Sequence, residues 1–311
     1  MPRFLAIQFA GFFLLLHLHT ALAQVTPNSR HSSDEERAAA RNSTEQDFRS
    51  AKPHPLPVLP GSEYDRLFGP ETAPKSREVP ETLGQKSKED VAAFARINVN
   101  KVPFNRAGQM FFLEGSARSA CSAQFTADPR VIVTASHCVQ KRDGTWRTHF
   151  VFVQRYEDGE GVRIPYTCVA NWPMWVADAQ NSRQWDYAFL LMDIPSDAGV
   201  FGLQTFSAHT SIAAIGYPTA MGGGLRMQMV QGARGLVANN IVELVQGEPR
   251  FTEGASGGAW IGDLTENPAG AGNVVISVTS HTYDSRPGRV YGPYFNNLTI
   301  DLFRFVQRGC R

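Results

Sequence analysis

Three short stretches hold residue types that can carry out acyl transfer together. Val131-Ile132-Val133-Thr134-Ala135-Ser136-His137-Cys138 is an apolar run that ends in small residues and a histidine. Trp185-Asp186-Tyr187-Ala188-Phe189-Leu190-Leu191 opens an apolar run with an aspartate. Glu253-Gly254-Ala255-Ser256-Gly257-Gly258-Ala259-Trp260 sets a serine among glycines. Each has an ordinary structural use when it stands alone. A histidine after a strand is commonly a packed side chain, an aspartate before a strand caps a turn, and a serine among glycines makes a turn. Here all three occur in one region, in the order His137, Asp186, Ser256.

The residue types match one chemistry. A serine hydroxyl is a weak nucleophile until a base takes its proton, and histidine titrates in the range that suits a base. A buried carboxylate fixes the imidazole tautomer and stabilises the imidazolium that forms. Glycines beside the serine allow unusual dihedrals and close backbone approach. The amides of Gly254 and Ser256 are then the candidate oxyanion hole, where one donor contributes about 3–4 kcal/mol. Gly254-Ala255-Ser256-Gly257-Gly258 also fits the Gly-x-Ser-x-Gly elbow of α/β-hydrolases. That fold needs its acid and histidine after the serine, and only His281 follows Ser256. The stretch 263–272 also reads as loop where the elbow would need a helix.

The elements that must position these residues lie in the last two thirds of the chain. From about Lys101 onward, short apolar and aromatic runs recur between Gly, Pro, Asn and Asp, as at 109–113, 130–134, 148–154, 187–192, 211–217 and 273–279. Many short strands at such spacing predict a sandwich or barrel. Ile300, Phe303 and Val306 recur at helical spacing before Gly309, which predicts a C-terminal helix.

The first hundred residues read differently. Arg3, an apolar run from Phe4 to Leu18 broken only by Gln8 and His17, and Ala21-Leu22-Ala23 form a secretory signal over 1–23. The apolar part is too short for a comfortable membrane span. Residues 24–100 contain the proline-rich run Lys52-Pro53-His54-Pro55-Leu56-Pro57-Val58-Leu59-Pro60. They are expected to be a propeptide, largely extended or disordered, with one short helix over 86–95.

Bulk properties narrow the classes. The 311 residues, 42% hydrophobic and 19% charged, suit a folded chain. The formal charge of +1 carries no basic footprint for nucleic acid. Cys121, Cys138, Cys168 and Cys310 all follow the signal, so two disulfides are expected, with three pairings open. No His-Glu-x-x-His or Cys-x-x-Cys pattern occurs, so no metal and no cofactor are expected.

Residues 101–311 resemble the chymotrypsin/trypsin-like serine proteases, in particular the bacterial and fungal trypsin-like and glutamyl-endopeptidase (V8-like) branch. Thr134-Ala135-Ser136-His137-Cys138 resembles the family's Thr-Ala-Ala-His-Cys, Asp186-Tyr187-Ala188-Phe189-Leu190 its Asp-(Ile/Tyr)-Ala-x-Leu, and Gly254-Ala255-Ser256-Gly257-Gly258 its Gly-x-Ser-Gly-Gly. The resemblance implies an all-β protein of two perpendicular six-stranded antiparallel barrels with a C-terminal helix. It implies a secreted serine endopeptidase that hydrolyses peptide bonds through an acyl-enzyme, acting on proteins or peptides as a monomer. No nucleic acid and, after signal removal, no membrane is expected as a partner, while the propeptide is a candidate inhibitor of its own enzyme. The rival expectations are a non-catalytic homologue that binds a partner through the same cleft, and an esterase using the same triad. The resemblance also implies a Cys121–Cys138 bridge, a closure worth about 3 kcal/mol; Cys168–Cys310 then follows by exclusion.

Two departures bear on activation and specificity. Ala255 stands where animal digestive relatives have the aspartate that pairs with a new N-terminus, so release of the propeptide, at Arg96-Ile97 or near Lys101, is the expected activation. Ala259 replaces a common proline. By likeness to the family, the substrate pocket includes Arg250 and Phe251 on one wall and Ser280, His281 and Thr282 on the other. Ser280 resembles the serine that supports the catalytic aspartate. Arg250 and His281 are candidate cations for an acidic substrate residue, whereas a lysine or arginine preference lacks its usual aspartate.

Overall fold

The computed structural model describes residues 25–69, 97–178, 180–246, 251, 253–267 and 272–311. The signal at 1–23, the helix expected over 86–95, Arg96 and Arg250 lie outside the described residues.

The described N-terminal segment is ordered: β1 (Asn28–His31), α1 (Asp34–Asn42), α2 (Glu45–Arg49), β2 (Lys52–Pro53), β3 (Val58–Leu59) and α3 (Gly61–Phe68). Among the described residues, 25–69 thus hold three helices as well as extended chain, while 70–96 lie outside the described residues. Capping boxes start the first two helices: the Ser33 and Thr44 hydroxyls accept from the amides of Glu36 and Asp47, whose carboxylates accept back. The segment then docks on the rest of the chain. β1 pairs antiparallel with Asn171 to Cys168, and the Phe48 ring lies 4.5 Å from Phe111.

The first sheet of the main body contains β4 (Ala107–Glu114), β5 (Ala117–Phe125), β6 (Val131–Thr134), β7 (Thr148–Glu157), β8 (Glu160–Asn171), α4 (Met174–Ala177) beside it, and β9 (Ala188–Met192). Strand order 8-7-4-5-6-9, with β9 returning to β8, closes six strands into a barrel. Alternation decides which side chains fill it. Met110 and Phe112 of β4 point inward onto Phe125 and Phe152, while Phe111 points outward to Phe48.

The second sheet runs β10-β15-β14-β11-β12-β13-β17, with β10 (Gly202–Leu203), β11 (Ser211–Gly216), β12 (Gln228–Ala238), β13 (Ile241–Val245), β14 (Ala259–Gly262), β15 (Val274–Val278) and β17 (Arg289–Pro293). The two-residue β16 (Thr282–Tyr283) pairs with β3 instead. This sheet is not the second closed barrel that the family resemblance implies. β15 ends at Val278, and beyond it the described chain meets β17 at one residue, Tyr291, through the His281 bridge and the Ser280 amide, which donates to the Tyr291 carbonyl at 3.0 Å. The Ser280 hydroxyl, by contrast, reaches out of this sheet to Asp186. The C-terminal helix is present as α5 (Asn297–Gln307), with Leu302, Phe303 and Val306 buried. The Cys168–Cys310 bridge ties the chain beyond it to β8, and Cys121–Cys138 joins β5 to the turn after β6.

Candidate active site

Adjacent strand ends bring the first two site residues together. β6 and β9 pair antiparallel with Thr134 opposite Ala188. His137 lies just beyond one strand and Asp186 just before the other. The Asp186 carboxylate accepts from the His137 amide at 2.9 Å through Oδ1, and lies 2.8 Å from His137 Nδ1 through Oδ2. Ser280 Oγ donates to Oδ2 at 2.5 Å, and Arg183 Nη1 stands 3.6 Å away. Asp186 is fully buried. Burial alone would raise its carboxyl, but the His137 ring and its hydrogen bond, the Arg183 charge and the Ser280 hydroxyl hold it well below the usual carboxylate range. The site thus holds a carboxylate anion on the imidazole Nδ1 and leaves Nε2 for chemistry.

Ser136 fixes this pair from behind. Its hydroxyl lies 2.9 Å from the Trp185 carbonyl and 2.8 Å from that of Tyr187, straddling Asp186. The serine that departs from the family's alanine therefore ties the histidine turn to the aspartate segment.

Ser256 comes from the other sheet, and Ser122 is the link. The Ser122 amide donates to the Ser256 carbonyl at 2.8 Å, its hydroxyl donates to the Gly254 carbonyl at 2.8 Å, and its own carbonyl accepts from Thr134 Oγ1 at 2.9 Å. Gly257 makes this approach possible. At φ +78°, a Cβ there would stand 2.1 Å from Thr134 Oγ1 and 2.9 Å from the Ala135 amide. The serine turn is thereby pressed against the residues that lead into His137. Ser256 Oγ and His137 Nε2 are both buried, and neither has a hydrogen-bond partner among the described residues. The Gly254 amide donates 2.9 Å to the carbonyl of His54, from the N-terminal segment.

The pocket residues divide. Phe251 is buried beside Ala255 and Trp260. Ser280 serves Asp186, and the Thr282 amide donates to the Pro57 carbonyl at 2.9 Å. His281 does not supply a cation: it is fully buried, its Nδ1 lies 2.9 Å from Ser280 Oγ and its Nε2 3.2 Å from the Tyr283 hydroxyl. Burial, and then the Arg183 charge, drive its pKa well down, so it stays neutral. Cys121, His137 and Cys138 place three potential metal-ligand atoms within 4.8 Å of one another, but both sulfurs are in one disulfide and offer no thiolate. Sequence reasoning missed Ser122, Arg183 and His54. None lies in a motif, and only Lys52-Pro53-His54-Pro55 carried a signal, its proline spacing.

Residues 121–270 match the family model described as a trypsin-like peptidase domain. The chain carries a trypsin-like peptidase domain. No curated protein sequence matches the chain. Among solved structures it is similar to the protease Anisep from Arthrobacter nicotinovorans (24% identity, 65% of this chain and 95% of that one, TM-score 0.56). It is also similar to a Glu endopeptidase (16% identity, 68% and 94%, TM-score 0.55). A third likeness is to an inactivated protease paralogue of the scabies mite (13% identity, 66% and 93%, TM-score 0.52). These likenesses establish the chymotrypsin-like fold, which proteases share with an inactivated relative. Whether this trypsin-like domain works depends on the site itself.

Proposed function

We propose that the protein is a secreted serine endopeptidase, made as a precursor, that hydrolyses peptide bonds with His137, Asp186 and Ser256. The observation that carries this reading is the fully buried Asp186 carboxylate, 2.8 Å from His137 Nδ1 and held by the His137 amide and Ser280. A structural histidine has no need of so costly a buried anion. In the reaction, His137 Nε2 takes the Ser256 proton as Oγ adds to the substrate carbonyl carbon. The Gly254 and Ser256 amides receive the oxyanion. The imidazolium then protonates the leaving nitrogen, and water hydrolyses the acyl-enzyme by the same route.

The signal at 1–23 supports the secreted placement, as do the two disulfides. No helix among the described residues is long and apolar enough to cross a membrane. Substrates are proteins or peptides. The test uses the full chain and its Ser256→Ala variant, each matured by limited digestion with a metalloprotease that is then quenched with chelator. Hydrolysis of a fluorogenic peptide mixture by the wild type alone is the expected result. Equal turnover by both proteins removes Ser256 from the mechanism, and no turnover by either, once residues 25–69 have been removed, restores the reading of a binding homologue.

A further inference from the structure

The strongest unexplained feature is the path of residues 52–59. β2 pairs in parallel with β5, placing Lys52 opposite Ser119 and Pro53 opposite Ala120. The His54 amide donates to the Ala120 carbonyl at 2.8 Å, and its carbonyl accepts from the Gly254 amide at 2.9 Å. The His54 imidazole stacks on that of His137, with centroids 5.7 Å apart and planes at 25°. Its Nε2 lies 3.2 Å from Arg147 Nη2. Further on, the Pro57 carbonyl accepts from the Thr282 amide at 2.9 Å, and β3 pairs in parallel with β16. One stretch of chain thus crosses from the barrel to the second sheet. It engages the candidate oxyanion donor Gly254, covers the candidate base His137, and bonds the pocket wall at Thr282.

Resting on the endopeptidase reading, the geometry points to residues 52–59 as a built-in inhibitor: a strap across the cleft that must leave its seat before Ser256 can act. With the strap seated, Ser256 is fully buried and His137 is 6% exposed, so a polypeptide has no path to either. The strap is also built to survive the site it covers. The bond after His54 runs to the ring nitrogen of Pro55, which carries a ring carbon where an ordinary peptide carries a proton. That substituent crowds the nitrogen that would have to be protonated to leave. Prolines at 53, 55, 57 and 60 fix the extended backbone, so little freedom is lost when it seats.

Both ends are anchored without help from the covalent link to residue 97. Upstream, Phe48 is buried against Phe111. Glu36 accepts from the His149 amide and from Arg30, each at 2.9 Å. Downstream, Tyr64 and Phe68 of α3 pack on Tyr283 and Tyr291, and the Gly61 amide donates to Asp284 Oδ1 at 2.8 Å. Cutting near Arg96 or Lys101 therefore leaves residues 25–69 bound as a second chain. Activation requires their displacement as well as the cut.

The test compares the full wild-type chain with Leu56→Asp, which puts a charge at a strap position only 7% exposed, and with Tyr64→Ser, which loosens the downstream anchor. Two readouts are taken: hydrogen exchange in peptides containing Gly254 and Thr282, and the rate of covalent labelling by a fluorophosphonate. The expected result is protected amides and slow labelling in the wild type, with exchange and labelling at least tenfold faster in a folded strap variant. Exchange over 188–192, in β9, which pairs with β6 and β8 and not with the strap, is unchanged in a variant that has kept its fold. Fast labelling of the intact wild type overturns the inhibitor, as does unprotected exchange at both amides. Exchange that rises in the variants without labelling in any form overturns the peptidase reading instead, while leaving the strap seated where the structure has it.

Discussion

Replacing Gly254 by alanine separates the chemistry of the serine turn from its folding. Gly254 has φ +86°, in the left-handed region, where an alanine costs about 1–2 kcal/mol. A Cβ there would also stand 2.3 Å from the Tyr217 carbonyl oxygen, against 3.4 Å for ordinary contact, so something must move by about 1 Å. Tyr217 is a poor candidate to move. It is fully buried, its amide donates to Ser122 Oγ at 3.0 Å and its hydroxyl to the Tyr156 carbonyl at 2.9 Å. The 254 turn must therefore shift, and its amide loses its aim. Loss of one oxyanion donor lowers kcat by about 10²–10³, equivalent to about 3–4 kcal/mol. The assay is kcat and KM of the matured enzyme on a fluorogenic peptide, with a thermal melt. Gly223→Ala is the control, since Gly223 has φ +65° but nothing within 4 Å of its Cβ, so it loses stability without the directed loss of kcat. A Gly254→Ala enzyme with kcat within threefold of an active wild type would refute the placement of the oxyanion donor.

Three further outcomes follow from the same geometry. Asp186→Asn keeps the shape but favours the wrong imidazole tautomer, so kcat falls by about 10⁴-fold with the fold retained, as read by stopped assays and circular dichroism. Ser136→Ala removes a buried hydroxyl between two carbonyls; it costs about 1 kcal/mol of stability, a drop in Tm of about 2–4 °C, with kcat changed far less than in Asp186→Asn. Acid weakens the strap through His54. Burial first, and then the neighbouring His137, Arg147 and Lys141 against the opposing Asp186 carboxylate, hold the docked imidazole neutral down to about pH 2. The released histidine gains its proton near pH 6.5. A depressed pKa makes docking strongest above the free value and weaker as pH falls below it, by about tenfold per unit. Between pH 6.5 and 4.5 the seat loses on the order of 2 kcal/mol. Gel filtration of the cut, two-chain form should show residues 25–69 dissociating as pH falls, and His54→Asn should lose most of that dependence.

The barrel strands were legible because they are short, near-continuous apolar runs, buried almost throughout and set between turn residues. The runs at 109–113, 130–134, 148–154 and 187–192 became β4, β6, β7 and β9, and the Ile300, Phe303, Val306 spacing became the C-terminal helix. β5 was not legible: Ala-Arg-Ser-Ala-Cys-Ser-Ala-Gln-Phe is small and polar, yet most of it is buried because the strap, β4, β6 and the serine turn all press on it. The N-terminal helices were announced by Ser33-Asp34-Glu35-Glu36, a capping box, but dense mixed charge and prolines nearby read as an unstructured tail. Proline there serves an extended strap whose order comes from its neighbours rather than from its own sequence. The open second sheet was equally hidden, because the run at 273–279 shows that a strand lies there but not which neighbours it pairs with.

The central claim is that His137 and Asp186 activate Ser256. Its most direct test is intact and peptide mass spectrometry of the matured protein after exposure to a fluorophosphonate, alongside Ser256→Ala and His137→Ala. The account predicts one adduct, on Ser256, absent in the first variant and slowed by at least 10³-fold in the second. A folded, strap-free protein that takes no adduct, or one whose labelling is indifferent to His137, would contradict it.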